Sequence, residues 1–238
     1  MRRSARVVIV CVLAVAGTAF AAETPQAEPA SADLEKVLGQ MDAAAAGFKT
    51  AEADFVWDQY TKVVNETDAQ SGKVYFRRTS KETEMAADII QPTAKYVLYQ
   101  SSTVRVYEPR IDQVTVYNTG KNRAEVESFL VLGFGGRGHD LEKSFDVNFQ
   151  GYEEAQGVRT AKLNLVPKTA KGKSIFDHII LWIDPARGIS VQQQFVEPQG
   201  DYRLAKYGNI KLNQSIPGDV FKLKTTGRTK TVTPQGSF

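Results

Sequence analysis

The residues best suited to chemistry in this chain are few and scattered. Its two histidines, His139 and His178, sit in unrelated contexts, one in a glycine-rich run and one in an apolar segment. Neither has the spacing of a metal-ligand pair, and the one cysteine, Cys11, lies in the N-terminal leader, so no metal site and no cofactor is expected. No G-x-S-x-G elbow marks a hydrolase nucleophile. Gly172-Lys173-Ser174 resembles the end of a phosphate loop, but Pro167 stands where that loop begins with glycine and strands are expected to follow, so a hairpin turn is the reading. Asp177 and His178 could form an acid–base pair, yet neighbours in a strand point to opposite faces, which favours a structural histidine. With no visible carrier of catalysis, the residues point to binding and not to an enzyme.

Two features stand apart. The run from Gly133 to His139 can form a nest of backbone N–H groups for an anion, or a flexible hinge. Apolar helical pieces on both sides favour the hinge. Arg78 falls by parity on the same side as Val74 and Phe76, where an unpaired charge is costly. It must find acceptors, reach solvent at a strand end, or yield to a bulge that turns Arg77 inward instead.

The elements that position these residues begin after a leader. Arg2, Arg3 and Arg6 precede an apolar stretch from Val7 to Ala16 and a small-residue site at Ala19-Phe20-Ala21, the pattern of a removable secretion signal over 1–21. This places the product in the periplasm of a Gram-negative source. The leader carries three arginines and no acid, so its removal brings the 30 basic residues level with the 27 acidic ones. A neutral chain without a basic run has no electrostatic footprint for nucleic acid or for an anionic membrane surface. Residues 22–30 read as a flexible segment. A helix follows, with Leu34, Val37, Leu38, Met41, Ala45 and Phe48 on one face and Ser31 or Asp33 as its cap.

From Ala51 the pattern changes to period two, with strands expected near 52–64, 72–79, 82–90, 95–100, 103–108 and 112–118. More are expected near 146–154, 158–166, 175–183, 189–197, 202–212 and 220–225, before a polar tail over 226–238. Between the two sets, Asn122 with Glu125 opens a helical stretch carrying Val126, Phe129 and Leu130. The glycine run with Phe134 and a second short helical piece carrying Leu141 and Phe145 complete this insertion.

Parity then assigns faces. Val74 and Phe76, Met85 and Ile89, Tyr96 and Leu98, Val104 and Val106, and Val114 and Val116 form an apolar side, opposed by Glu82, Glu84 and Asp88. So wide a consecutive antiparallel sheet must curl. The expected fold over 31–225 is therefore mainly β, a half-barrel whose concave apolar face is covered by the N-terminal helix and the helical insertion. Either that face is fully packed or it retains a cavity of lipid size.

Several segments resemble the LolA family of periplasmic lipoprotein carriers. They are Gly72-Lys73-Val74-Tyr75-Phe76-Arg77-Arg78, Val106-Tyr107-Glu108-Pro109 followed by Gln113, Leu163 to Lys168, and Asp184 with Gly188 ahead of Gln192 to Phe195. The resemblance implies an incomplete antiparallel barrel whose cavity shields lipoprotein acyl chains. It also implies an inner-membrane ABC transporter that loads them, an outer-membrane acceptor that takes them, and a monomeric carrier. In that family an arginine after an aromatic strand segment latches the closed lid; Arg78 matches it. Thr79 replaces the proline that usually follows, which leaves Arg77 as the other candidate. Another amphiphile, a glycolipid or hopanoid, or a periplasmic sensing or protein-binding role on the same fold, remains an alternative.

Overall fold

The computed structural model describes residues 29–120 and 132–234 of the 238. The expected leader, the segment 22–28, and Val126, Phe129 and Leu130 of the insertion lie outside the described residues. Helix α1 (Pro29–Gly47) is the expected amphipathic helix, with Val37, Leu38, Met41 and Ala45 buried. It starts earlier than its sequence suggests. Ser31 and Asp33 therefore lie within its first turns rather than at a cap, and Asp33 accepts a hydrogen bond from the Tyr152 hydroxyl at 3.2 Å.

Strands β1 (Thr50–Thr61), β2 (Glu66–Arg78), β3 (Thr83–Gln91), β4 (Lys95–Gln100), β5 (Thr103–Glu108) and β6 (Gln113–Asn118) form one antiparallel meander. A second comprises β7 (Phe145–Ala155), β8 (Val158–Pro167), β9 (His178–Asp184), β10 (Ile189–Val196) and β11 (Tyr202–Leu212). The two are joined by pairing of β1 with β11, which makes a single open sheet of twelve strands. The insertion after β6 thus does not separate a pair of neighbouring strands. It crosses from one wing of the sheet to the margin of the other, because β6 and β7 are far apart in strand order.

Several boundaries differ from the sequence reading. The β1–β2 turn falls at 62–65, where Asn65 adopts φ 53°, and Gly72 sits within β2 rather than opening it. Close approach of β3 explains that glycine, since a Cβ there would stand 1.9 Å from the Asp88 carbonyl oxygen. Helix α2 (Gly138–Ser144) leads into β7, and helix α3 (Ala170–Ile175) occupies the β8–β9 connection. Gly172-Lys173-Ser174 is accordingly within a short helix and not a hairpin turn, with the Thr169 hydroxyl capping it by accepting the Gly172 N–H at 3.0 Å.

No strand forms over 220–225. A 3₁₀ turn at Gly218–Phe221 lies there instead, and the expected polar tail supplies β12 (Lys230–Val232), which pairs parallel to β6. Between them the chain crosses the outer face of the first wing. Ile216, Val220, Phe221 and Leu223 pack on Tyr75, Ala86, Tyr96 and Leu98, and the Tyr96 hydroxyl donates to the Val220 carbonyl. The concave face carries two apolar clusters. Under α1, Val37, Leu38, Met41 and Leu141 pack on Leu163, Leu165, Ile179 and Leu181 of β8 and β9. On the other half of the face lies a cluster built around Phe48, Phe55, Phe76 and Phe134.

Candidate functional site

The second cluster does not fill its half of the sheet. A hollow of about 210 Å³ remains, bordered by inward residues of β1 to β4, β10 and β11. Val74, Phe76, Met85 and Ile89 stand on its wall as parity suggests, together with Phe55, Val97 and Ala205. Trp57, itself 39% exposed, also borders it, as do Phe195 and Arg203, whose guanidinium is paired with Glu197 at 2.5 Å.

The other expected wall residues are placed differently. Val104 and Val106 share the concave face by register, opposite Tyr99 and Val97, but do not border the hollow. Tyr96, Leu98, Val114 and Val116 are on the outer face. Tyr96 and Leu98 lie under the C-terminal segment, and Val114 and Val116 pair with Tyr107 and Arg105 of the same outward parity. The cause is that β4 reads Tyr96-Val97-Leu98-Tyr99, apolar on both faces because both are covered, so alternation carries no sign. Burial and not a nearby cation sets the acidity of Tyr96, whose hydroxyl pKa is pushed up to about 12.

Phe134, from the insertion, packs as a stopper would on two residues of the hollow's wall, Phe76 and Tyr207. It is 1% exposed, stacks on Phe76 with ring centres 5.0 Å apart, and meets Tyr207 edge-on at 4.9 Å. The glycines on either side are required by packing and backbone alike. Gly133 has φ +80° and a Cβ there would lie 2.2 Å from that of Ser190, while Gly135 has φ +79° and its Cβ would lie 2.4 Å from the Phe48 ring. The glycine run therefore serves close approach as well as turning, and no anion nest is needed to account for it.

Three hydrogen bonds to main-chain carbonyls fasten this turn. The Ser190 N–H donates to Gly133 O at 2.8 Å, Gln193 Nε2 donates to Leu132 O, and Arg78 Nη2 donates to Gly135 O. The other arm of Arg78 donates to Ala45 O near the end of α1 at 2.7 Å, and its guanidinium carbon lies 5.3 Å from the centre of the Phe48 ring. Arg77 points to the other side of the sheet, where it pairs with Glu84 at 2.8 and 2.5 Å and covers the Phe221 ring at 4.0 Å. Of the two arginines it is thus Arg78 that reaches the turn holding Phe134, and Arg77 faces the opposite side of the sheet.

Beyond the stopper, α2 is tied to α1. His139 Nδ1 lies 2.6 Å from Asp42 Oδ2 and Nε2 lies 3.1 Å from Glu35 Oε1, while the His139 N–H reaches Asp42 at 3.3 Å. The hydrogen bond to Asp42 raises the imidazole pKa above its ordinary value despite partial burial. Burial works against ionisation of Asp42, but the hydrogen bonds from the His139 side chain and N–H outweigh it and its pKa falls. Leu141 of α2 belongs to the core under α1 rather than to the hollow. His178 lies 2.7 Å from Asp177, a pairing that strand alternation disfavours; Asp177 precedes β9 and is free of that alternation. Among the described residues no group of three or more His, Cys, Asp and Glu is set to hold a metal, and no helix is long and apolar enough to cross a membrane.

Sequence reasoning missed Gln193 and Tyr207. Gln193 shares its parity with Phe195 on β10, and an inward amide in an apolar wall was the available signal. Burial of Tyr207 in the hollow pushes its hydroxyl pKa up.

A curved open sheet with a helix across one half and an apolar hollow in the other defines a half-barrel. Residues 46–224 match the family model of the outer membrane lipoprotein carrier protein LolA, and the chain belongs to that family. An outer-membrane lipoprotein carrier protein of Dechloromonas aromatica (strain RCB) is 24% identical over 174 residues, which is 73% of this chain and 76% of its own. Two solved structures share the fold. An uncharacterized conserved protein from Thermus thermophilus has a TM-score of 0.54 at 10% identity, over 85% of this chain and 99% of its own. MucB has a TM-score of 0.52 at 11% identity, over 81% of this chain and 63% of its own.

Proposed function

We propose that this protein is a periplasmic carrier that takes lipoprotein acyl chains into the hollow and delivers them from the inner to the outer membrane. The observation that carries this reading is the apolar hollow with Phe134 packed on its wall residues Phe76 and Tyr207, on a turn whose Gly135 carbonyl accepts from Arg78. A chain of about 16 carbons, at roughly 0.8 kcal/mol per CH₂, needs on the order of 10 kcal/mol of burial to cross water. A hollow of about 210 Å³ is little larger than a cavity of roughly 150 Å³ that holds benzene, so such a chain enters only as Phe134 withdraws. Guest and stopper then compete for one surface, which lets the carrier release what it binds.

In this reading Arg78 is the latch of the empty state. Loading is by an inner-membrane ABC transporter and delivery is to an outer-membrane acceptor, as for the family. The test is to incubate the purified protein with inner-membrane vesicles bearing a triacylated lipoprotein and its transporter. The expected result is a soluble complex containing both proteins. Lipoprotein that stays wholly with the vesicles would refute the reading. Recovery of a glycolipid or hopanoid by mass spectrometry of the purified protein, with no lipoprotein, would assign it a different amphiphile.

A further inference from the structure

The hollow is not wholly apolar. Gln193 is 4% exposed, Tyr207 beside it is half-buried, and both border the hollow. In the closed state their polar atoms are served: Gln193 Nε2 donates to Leu132 O, and Gln193 Oε1 accepts the Tyr207 hydroxyl at 3.3 Å. Leu132 and Phe134 belong to the same turn. When Phe134 withdraws, the Leu132 carbonyl leaves with it, and the Gln193 amide is left facing the emptied hollow. A buried donor without an acceptor is costly, and within a chain-filled hollow the guest is what can supply one.

We infer that Gln193 Nε2 is the site for the acyl carbonyl of the guest, ester or amide, with the Leu132 carbonyl occupying that site in the empty state. This rests on the reading of the hollow as an acyl-chain site and adds a selectivity to it. The Tyr207 hydroxyl donates to Oε1, so it holds the amide with its N–H groups toward the hollow and is a positioning residue. An alkyl ether of equal length would bury the same surface and offer the amide only an ether oxygen, a weaker acceptor than an acyl carbonyl. The protein thereby distinguishes acyl chains from alkyl chains.

The test is equilibrium dialysis of the full protein against three probes of equal chain length: methyl laurate, N-methyldodecanamide and dodecyl methyl ether. The ester and the amide are expected to bind about tenfold more tightly than the ether, the size of one well-made buried hydrogen bond. In Gln193→Met, of similar length and without a donor, the three affinities are expected to converge within about twofold. In Tyr207→Phe the preference is expected to shrink without vanishing. The ratio is read within each variant, so a change in lid opening, which shifts all three probes together, does not enter it. Equal binding of all three probes to the wild-type protein overturns this assignment and leaves the acyl-chain reading standing. So does a preference that survives in Gln193→Met. If the wild-type protein binds no probe, the acyl-chain reading itself falls, and this assignment with it.

Discussion

Arg78 and Arg77 are adjacent, chemically identical and opposite in direction. Alternation along β2 sends one to Gly135 and Ala45 and the other to Glu84 and Phe221. The sequence offers both as the latch, because parity is relative and which face is concave depends on what lies above and below. Arg78→Leu is expected to take up lipoprotein normally and to pass it on more slowly, since the empty state loses its charged fastening. Transfer to acceptor-bearing vesicles, timed against the wild-type protein, checks this. Arg78 is exposed, so its loss is expected to cost only about 1 kcal/mol of stability. His139 supplies a pH dependence. Asp42 and Glu35 of α1 face its two ring nitrogens, Arg137 approaches Asp42 at 3.9 Å, and the hydrogen bond to Asp42 raises its pKa on folding. A raised folded pKa means a contribution fully present below the unfolded value of about 6.5 and lost as pH climbs through the folded value. The wild-type Tm is therefore expected to fall across neutral to mildly alkaline pH by an increment absent from His139→Gln, measured by thermal melts over that range.

At the scale of elements, α1 is legible from its spacing, and most strands of the second wing fall within one or two residues of their expected bounds. Of these, β8 keeps a readable alternation, whereas β9 is apolar on both faces, with Ile179, Leu181 and Ile183 in the core under α1 and Ile180 and Trp182 in a separate cluster with Val191. The first wing loses that clarity where the C-terminal segment covers its back: β4 is apolar on both sides, and the outward Glu84 is 7% exposed because Arg77 and Gln100 pair with it there. Sequence pattern alone makes the stopper a piece of flexible lid, yet the φ values and contacts of Gly133 and Gly135 show a turn fitted to Ser190 and Phe48. Such fit depends on residues far along the chain and leaves only glycines as its mark. Phe134→Ala is expected to lower stability by about 3 to 5 kcal/mol, the range for removing a buried phenylalanine ring. It should also tighten binding of an acyl-chain probe, because the competitor for the wall is gone. A denaturant titration and a fluorescent acyl probe measure the two effects, and weaker acyl binding with an intact fold would contradict the competition.

For the molecule as a whole, the two margins of the open sheet are handled differently. At one margin β12 lies on β6, held by Lys230 N–H to Asp112 O at 2.9 Å and by the Thr226 and Thr229 hydroxyls donating to the Asp112 carboxylate, each at 2.6 Å. At the other, β7 carries an irregularity between Phe149 and Tyr152, a feature that discourages pairing along an edge. Removing residues 226–238 is expected to bare β6 and to produce concentration-dependent self-association, visible by light scattering; a truncated protein that stays monomeric at high concentration would show that β12 has no such shielding role. The path of the C-terminal segment has one more consequence. It runs behind β2, β3 and β4 before β12 pairs with β6, so one wall of the hollow is braced from outside. A braced wall does not swell to suit its contents. If the hollow carries acyl chains as proposed, thicker or more numerous tails are therefore expected to protrude past the rim beside Trp57 rather than force the strands apart, the calibre of the vessel staying constant whatever it holds.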